Sequence, residues 1–399
     1  MPISETVRSA LGSSSMIRKM FEEGMELKKK YGSDKVFDFS IGNPDLEPPP
    51  AFHRVFADLA REDAKGSHGY MPNPGYADVR EALAKKASRE QGVSIDGSHI
   101  IMSVGAAGGL NVVFKAILNP GDEVIVPRPY FMEYRPYVGN HGGTLVEAES
   151  LPDFSLDIDA VGRLLSDKTA AVLINSPHNP TGRIYPEQDI AALAKLLREQ
   201  GRRTGRFPYL VADEPYREIV YEGRAVPPIL SSYEHSLAVT SYSKSLSLPG
   251  ERIGYIAVSP AMGDKDEMLG ALIYATRVLG FVNAPALMQR IVARLTEESV
   301  DVGIYARRRD AFKKVLDEAG IEYAEPEGAF YLFCKVPGRK DGRAADDREF
   351  SEHLKKYLIL GVPGSGFGGP GWIRFAYCVD ESIIRASAAA FRKAMEEWR

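Results

Sequence analysis

The residues best suited to covalent chemistry in this chain lie in Ser241-Tyr242-Ser243-Lys244-Ser245, followed by Pro249-Gly250-Glu251-Arg252. Hydroxyls and an arginine are good ligands for a phosphate, the arginine through its planar fork of donors. A lysine among cations and partly out of water loses affinity for its proton and becomes a free, nucleophilic amine. Such an amine can condense with an aldehyde that also carries a phosphate. The same stretch also reads as a solvated loop with ordinary surface charges, so other residues must choose between the two.

Five further groups bear on the choice. Ser103-Val104-Gly105-Ala106-Ala107-Gly108-Gly109 joins a strand to a helix. Its small residues let the backbone approach an anion at a helix start, or simply make a tight turn. Asn175-Ser176-Pro177-His178-Asn179-Pro180-Thr181-Gly182 follows an apolar strand. Its prolines fix the loop and aim Asn179 either at a ligand or at its own backbone, and His178 reads as a loop residue, not a base. Asp213 ends the run Tyr209–Ala212, with Tyr216 three residues on. A buried carboxylate needs a partner such as a protonated ring nitrogen, although a helix cap would also account for it. Finally, Arg374 interrupts the apolar strand Trp372–Ala376 and calls for a carboxylate, from a substrate or from the protein itself. Phe131, in Pro129-Tyr130-Phe131, offers an aromatic face to a flat ring. Taken together, the set describes pyridoxal phosphate bound beside an amino acid.

These residues need a scaffold, and the chain alternates in a way that supplies one. Strands are expected at Ile100–Val104, Glu123–Pro127, Ala170–Asn175, Tyr209–Asp213, Ser236–Thr240 and Ile253–Val258. Helices are expected at Ser14–Tyr31, Ala51–Ala64, Tyr76–Glu90, Leu110–Leu118 and Pro186–Gln200. Short apolar strands alternating with helices argue for a largely parallel α/β sheet, with ligands at the carboxyl ends of its strands. A short strand, Val36–Ile41, leads into Gly42-Asn43-Pro44-Asp45 and Pro48–Pro50, a fixed-shape loop at a domain crossing. Beyond Asn283 the rhythm changes to a helical region, Ala286–Ala319, a strand at Ala329–Lys335, a helix at Asp347–Tyr357 and the Arg374 strand. The expected domains are residues 46–284, a large one, and 285–399, a small α+β one, with 1–45 joining the latter.

Composition narrows the function class. The 50 basic and 54 acidic residues are mixed, with a formal net charge of −4, so no basic stripe for nucleic acid or membrane stands out. Cys334 and Cys378 are far apart, without metal-ligand spacing, and the seven histidines form no metal motif. No signal segment or membrane-length apolar run is seen, which points to a cytoplasmic enzyme or binding protein.

On Asn179-Pro180-Thr181-Gly182, Asp213-x-x-Tyr216, Ser241-x-Ser243-Lys244 and Arg252, in that order and spacing, the sequence resembles the class I/II aminotransferases. These belong to the aspartate aminotransferase superfamily of fold-type-I pyridoxal phosphate enzymes. The similarity runs from Ile41-Gly42-Asn43-Pro44-Asp45 to the Arg374 strand. It implies an α/β fold with a mostly parallel seven-stranded sheet between helices and a smaller α+β domain. It further implies that Lys244 forms the internal aldimine and shuttles the proton. Asp213 would hold the pyridine nitrogen protonated, and Asn179 and Tyr216 would bond the ring oxygen. Ala106, Ala107, Ser241, Ser243 and Arg252 would bind phosphate, Phe131 would stack on the ring, and Arg374 with Gly42 would take the substrate carboxylate. Tyr70 would reach the phosphate of the neighbouring subunit in a homodimer. One departure stands out: Arg277 lies one residue out of register with the arginine by which aspartate-specific members read a distal carboxylate before a segment like Asn283-Ala284-Pro285. The implied reaction moves an amino group from an L-amino acid to a 2-oxo acid. The same residues would serve a carbon–sulfur β-lyase. A non-catalytic effector-binding regulator is disfavoured, because only 50 residues precede Ala51 and the stretch is not basic overall.

Overall fold

The computed structural model describes residues 3–5, 7–8, 16–340, 342–344 and 346–399. Twelve strands are found among them: β1 (Phe37–Asp38), β2 (Ile100–Ser103), β3 (Glu123–Pro127), β4 (Thr144–Ala148), β5 (Thr169–Asn175) and β6 (Tyr209–Asp213), then β7 (Ser236–Ser241), β8 (Gly254–Val258), β9 (Tyr331–Lys335), β10 (Ile359–Leu360), β11 (Val362–Pro363) and β12 (Trp372–Ala376). Seven form one sheet in the order β2-β8-β7-β6-β5-β3-β4. Only β8 runs against its neighbours, so the sheet is mostly parallel, as the resemblance implied. The architecture is α/β, as the alternation of strands and helices in the sequence predicts.

Alternation along each strand builds two cores. In β6, Leu210 and Ala212 join a core with helices Ala77–Gln91, Glu187–Thr204 and Ala286–Ala293, whereas Val211 faces helices Gly105–Ile117 and Lys265–Val278 on the other side. Both faces are therefore covered, which is why the strands read as near-continuous apolar runs. A third core holds Phe39 with β9, β12 and helix Val302–Ala319. There β11-β12-β9 form an antiparallel sheet, and β1 pairs in parallel with β10.

Three sequence expectations change. The strand expected over Val36–Ile41 shrinks to the two residues of β1, because the carbonyls from Ser40 onward bond to side chains instead of to a neighbouring strand. The helical region 286–319 is two helices, Ala286–Ala293 and Val302–Ala319, the second capped by the Asp301 carboxylate on the Gly303 N–H. The helix expected from Leu110 starts five residues earlier, at Gly105. The expected start of the first helix at Ser14 and Ser15 lies outside the described residues; the helix is seen over Met16–Tyr31.

Candidate active site

The predicted residues meet at one end of the large sheet, and strand parity explains how. Asn175 and Asp213 are register partners at the ends of β5 and β6, and Ser241 ends β7 two residues beyond Val239, the register partner of Asp213. All three share parity with Leu173, Val211 and Val239, so they project to the face of helix Gly105–Ile117. Because β8 is antiparallel, its starting end lies at this same edge, with Gly254 opposite both Ser103 and Ser241. That reversal brings Arg252 to the first turn of the helix.

A cavity of about 320 Å³ opens there, within the range of small-molecule sites. Gly42, Ala106, Ala107, Phe131, Asn179, Asp213, Tyr216, Ser241, Ser243, Lys244, Arg252 and Arg374 all line it. Of the predicted site residues only Tyr70 lies elsewhere, 95% exposed on the surface. Arg277 is also exposed, in the last turn of helix Lys265–Val278 and beside the Tyr274 ring, and does not line the cavity.

At the anion end, the earlier helix start places Ala106 and Ala107 in the first turn, where backbone N–H groups lack helical partners. Gly105 has φ +67°, and a Cβ there would lie 2.6 Å from the Arg252 guanidinium, so glycine is what lets the cation reach the helix start. Arg252 itself sits in the left-handed region at φ +52° and donates to the Pro249 carbonyl at 2.7 Å. With the Ser241 and Ser243 hydroxyls, this end of the cavity has donors of the kind that can hold an anion.

Lys244 donates from Nζ to the Gly42 carbonyl at 2.8 Å and lies near the rings of Tyr216 and Phe330. Burial pushes its amine down to about 8; the Cys378 thiol opposes that shift, and Arg374 and Arg252 reinforce it. A usable fraction of neutral amine therefore exists near neutral pH.

Asp213 accepts a hydrogen bond at Oδ2 from the Tyr134 hydroxyl at 2.6 Å. Its other oxygen, Oδ1, is buried and has no partner. Burial pushes this carboxyl up to about 7 against the Tyr134 bond, with the Glu214 charge adding to the rise. A carboxylate so placed is completed by a cationic N–H in the cavity, and a simple helix cap does not describe it. Asn175 steadies the region: its Nδ2 donates to the Asp213 carbonyl at 2.8 Å, and its Oδ1 accepts from the Asn179 N–H at 2.7 Å. His178 is buried, bonded through Nδ1 to the Thr181 hydroxyl, and pushed down to about 3 by burial, which suits a structural loop residue.

Arg374 is 1% exposed and pairs with no carboxylate among the described residues, so the internal salt bridge left open by the sequence is not formed. Nη1 donates to Asn179 Oδ1 at 3.0 Å and Nη2 to the Ser40 carbonyl at 2.7 Å, while Nε has no partner. The rings of Tyr331 and Phe367 lie 4.5 Å and 4.7 Å from Cζ. A buried guanidinium so placed can take a carboxylate as its counter-charge.

Tyr134, Asn175 and Tyr331 were not singled out from sequence, although all three line the cavity. Among the described residues, no His, Cys, Asp or Glu cluster is arranged to hold a metal ion.

The α/β fold, with its cavity at the strand ends, is that of the fold-type-I transferases. The chain belongs within it to the class I and II aminotransferases, whose family pattern matches residues 34–391. It is 32% identical over 381 residues to the aspartate/prephenate aminotransferase of Thermus thermophilus, covering 94% of each chain. An aminotransferase structure from Eubacterium rectale superimposes with a TM-score of 0.94 at 37% identity, covering 100% of both chains. The Thermus thermophilus aspartate aminotransferase with maleate gives a TM-score of 0.86 at 29% identity, covering 99% of this chain and 100% of that one. The protein is an aminotransferase, of a family that works with pyridoxal phosphate. Nothing in these relationships favours the β-lyase alternative.

Proposed function

We propose that this cavity holds pyridoxal phosphate and an L-α-amino acid, and that Lys244 carries the cofactor and moves the substrate's α-proton. The observation that carries the reading is the unpartnered, buried Oδ1 of Asp213, a residue that lines the same cavity as Ser241, Ser243 and Arg252. Ala106, Ala107, Ser241, Ser243 and Arg252 would hold the phosphate, Phe131 the ring face, Asp213 the ring nitrogen, and Asn179 and Tyr216 the ring oxygen. Bound there, pyridoxal phosphate supplies an aldehyde carbon to carry the amino group and a protonated ring to accept electron density from the α-carbon.

The chain's own groups do the rest. Arg374, backed by two rings, grips the α-carboxylate through its fork, with Asn179 and the Gly42 backbone alongside. This fixes which α-substituent points at Lys244, whose neutral amine takes the proton and returns it. Asp213, kept in place by Tyr134, stays ionised once its cationic partner is present and holds that partner's proton. Tyr70, exposed on its own chain, would reach the phosphate of a second copy, making the working unit a homodimer with sites between the domains 46–284 and 285–399, the latter joined by 1–45. Two buried free thiols suit a reducing cytoplasm, and among the described residues no helix is long and apolar enough to cross a membrane.

The test is to add each of the twenty amino acids, without an acceptor, to protein loaded with pyridoxal phosphate and follow the visible absorbance. At least one is expected to bleach it stoichiometrically, and a 2-oxo acid to restore it. Silence from all twenty would overturn the reading.

A further inference from the structure

Tyr331, the first residue of β9, is 2% exposed and touches three functional parts of the site at once. Its hydroxyl lies 2.7 Å from the Tyr216 hydroxyl. Its ring covers the Arg374 guanidinium with a centroid distance of 4.5 Å. The same hydroxyl also occupies the space above Gly42, where an added Cβ would lie 2.1 Å away, so the loop that accepts from Lys244 is shaped around this phenol. Tyr331 and Tyr216 meet edge to face, their centroids 5.7 Å apart, which fixes both rings.

We infer that Tyr331 is a positioning residue joining the two ends of the substrate site: its hydroxyl orients Tyr216, and its ring holds Arg374. The inference rests on the cofactor reading above. Each phenol has one proton, and the pair shares one hydrogen bond. When Tyr331 donates, the Tyr216 proton is free to point into the cavity, toward the ring oxygen. When that bond is lost, the Tyr216 hydroxyl can rotate away, and negative charge on the ring oxygen is stabilised less. Arg374 has no carboxylate partner among the described residues, so the rings of Tyr331 and Phe367, with the bonds to Asn179 and Ser40, hold the plane of its fork.

The two halves separate by mutation. Tyr331→Phe removes the hydroxyl and keeps the ring; Tyr331→Leu removes both. Weaker support of the ring oxygen raises the proton affinity of the adjacent nitrogen. The pH midpoint of the bound cofactor's visible absorbance is therefore expected to rise in Tyr331→Phe by about three- to tenfold in proton affinity, the effect of one hydrogen bond. The KM of the donor amino acid should stay within about twofold, because the ring over Arg374 remains. Tyr331→Leu should show the same midpoint shift and also raise KM at least about fivefold. In a Tyr216→Phe background, Tyr331→Phe should move the midpoint no further, since its effect passes through Tyr216.

An unmoved midpoint in Tyr331→Phe, or a shift that persists in the Tyr216→Phe background, would overturn the hydroxyl's role; equal KM values for Phe and Leu would overturn the ring's. If Tyr331→Leu fails to fold, the Phe variant and its double mutant still decide the first half, and Phe367→Leu, which removes the other ring beside the guanidinium, replaces it for the second. Wild-type protein that takes up no pyridoxal phosphate would remove the cofactor reading and this inference together; wild type that takes it up with an unresponsive Tyr331→Phe removes the inference alone.

Discussion

Replacing Asp213 by Asn alters one atom and reverses the polarity of the contact it makes. The Tyr134 hydroxyl donates to Oδ2 at 2.6 Å, and Oδ1 is buried without a partner in a residue that lines the cavity. In Asp213→Asn the amide oxygen can keep the Tyr134 bond, which turns the Nδ2 hydrogens toward the ring nitrogen. An amide there donates and no longer accepts, so the ring nitrogen stays unprotonated and draws less charge from the α-carbon. Loss of a charge-assisted hydrogen bond is worth about 1.5–3 kcal/mol, so the cofactor should be retained about ten- to 150-fold less tightly. Withdrawing a preorganised charge from a developing one costs about 3–4 kcal/mol, so abstraction of the α-proton should slow by about 100- to 1000-fold. The assay is exchange of the substrate α-hydrogen with deuterated solvent, at cofactor concentrations that saturate the variant. Exchange within a few-fold of wild type would reduce Asp213 to a structural carboxylate.

Arg374→Leu should lower kcat/KM for every amino-acid donor alike, by the about 2–5 kcal/mol of a broken buried charge pair, or about 30- to 5000-fold; Arg374→Lys should not rescue it, because the fork is lost. A loss confined to one donor class would remove Arg374 as the common carboxylate clamp. Arg277 stands outside its own cavity, so Arg277→Ala should leave neutral donors such as alanine unchanged. Selective loss with aspartate and glutamate would show it reading a distal carboxylate across the dimer, and an equal loss with all donors would contradict both views. For Lys244, a pKa lowered to about 8 makes the reactive, neutral amine grow with rising pH. The rate at which the cofactor-free protein captures pyridoxal phosphate should therefore rise to a midpoint near pH 8, and a midpoint near the ordinary lysine value of 10.5 would contradict the burial argument.

What sequence revealed and what it concealed divides along locality. Asn179, Asp213, Lys244 and Arg252 sit in short stretches whose prolines, glycines and strand ends restrict the backbone, so their placement could be read from neighbours in the chain. The sheet was legible for the same reason: buried strands such as β5 are apolar along their middle, Ala170 to Ile174. Tyr134 was not legible, because its function is to reach a carboxylate 79 positions away. Tyr331 was hidden likewise: its partner Tyr216 is 115 positions distant, and its own stretch reads as core strand. The edge strand β4 and helix Lys265–Val278 escaped notice. The strand carries Thr144 and Glu147 among its five residues, and the helix has charged residues at its start and small ones within, so neither shows the clear apolar pattern of the central elements. The prolines near Gly42-Asn43-Pro44-Asp45 point to a loop of fixed shape, but what fixes the stretch from Ser40 to Leu46 lies elsewhere in the chain. Arg374, Cys378, Lys244 and Ser247 all donate to its carbonyls, and Arg308 takes the Asp45 carboxylate at 2.6 and 2.9 Å.

The most direct test of the central claim is to load the protein with pyridoxal phosphate, reduce it with borohydride, digest it and locate the added mass. Reduction makes an imine permanent, so the label should fall on Lys244 at close to one per chain, and Lys244→Ala should bind the cofactor reversibly, carry no label and transfer no amino groups. A label on any other lysine, or a Lys244→Ala protein with wild-type activity, would contradict the assignment of the site.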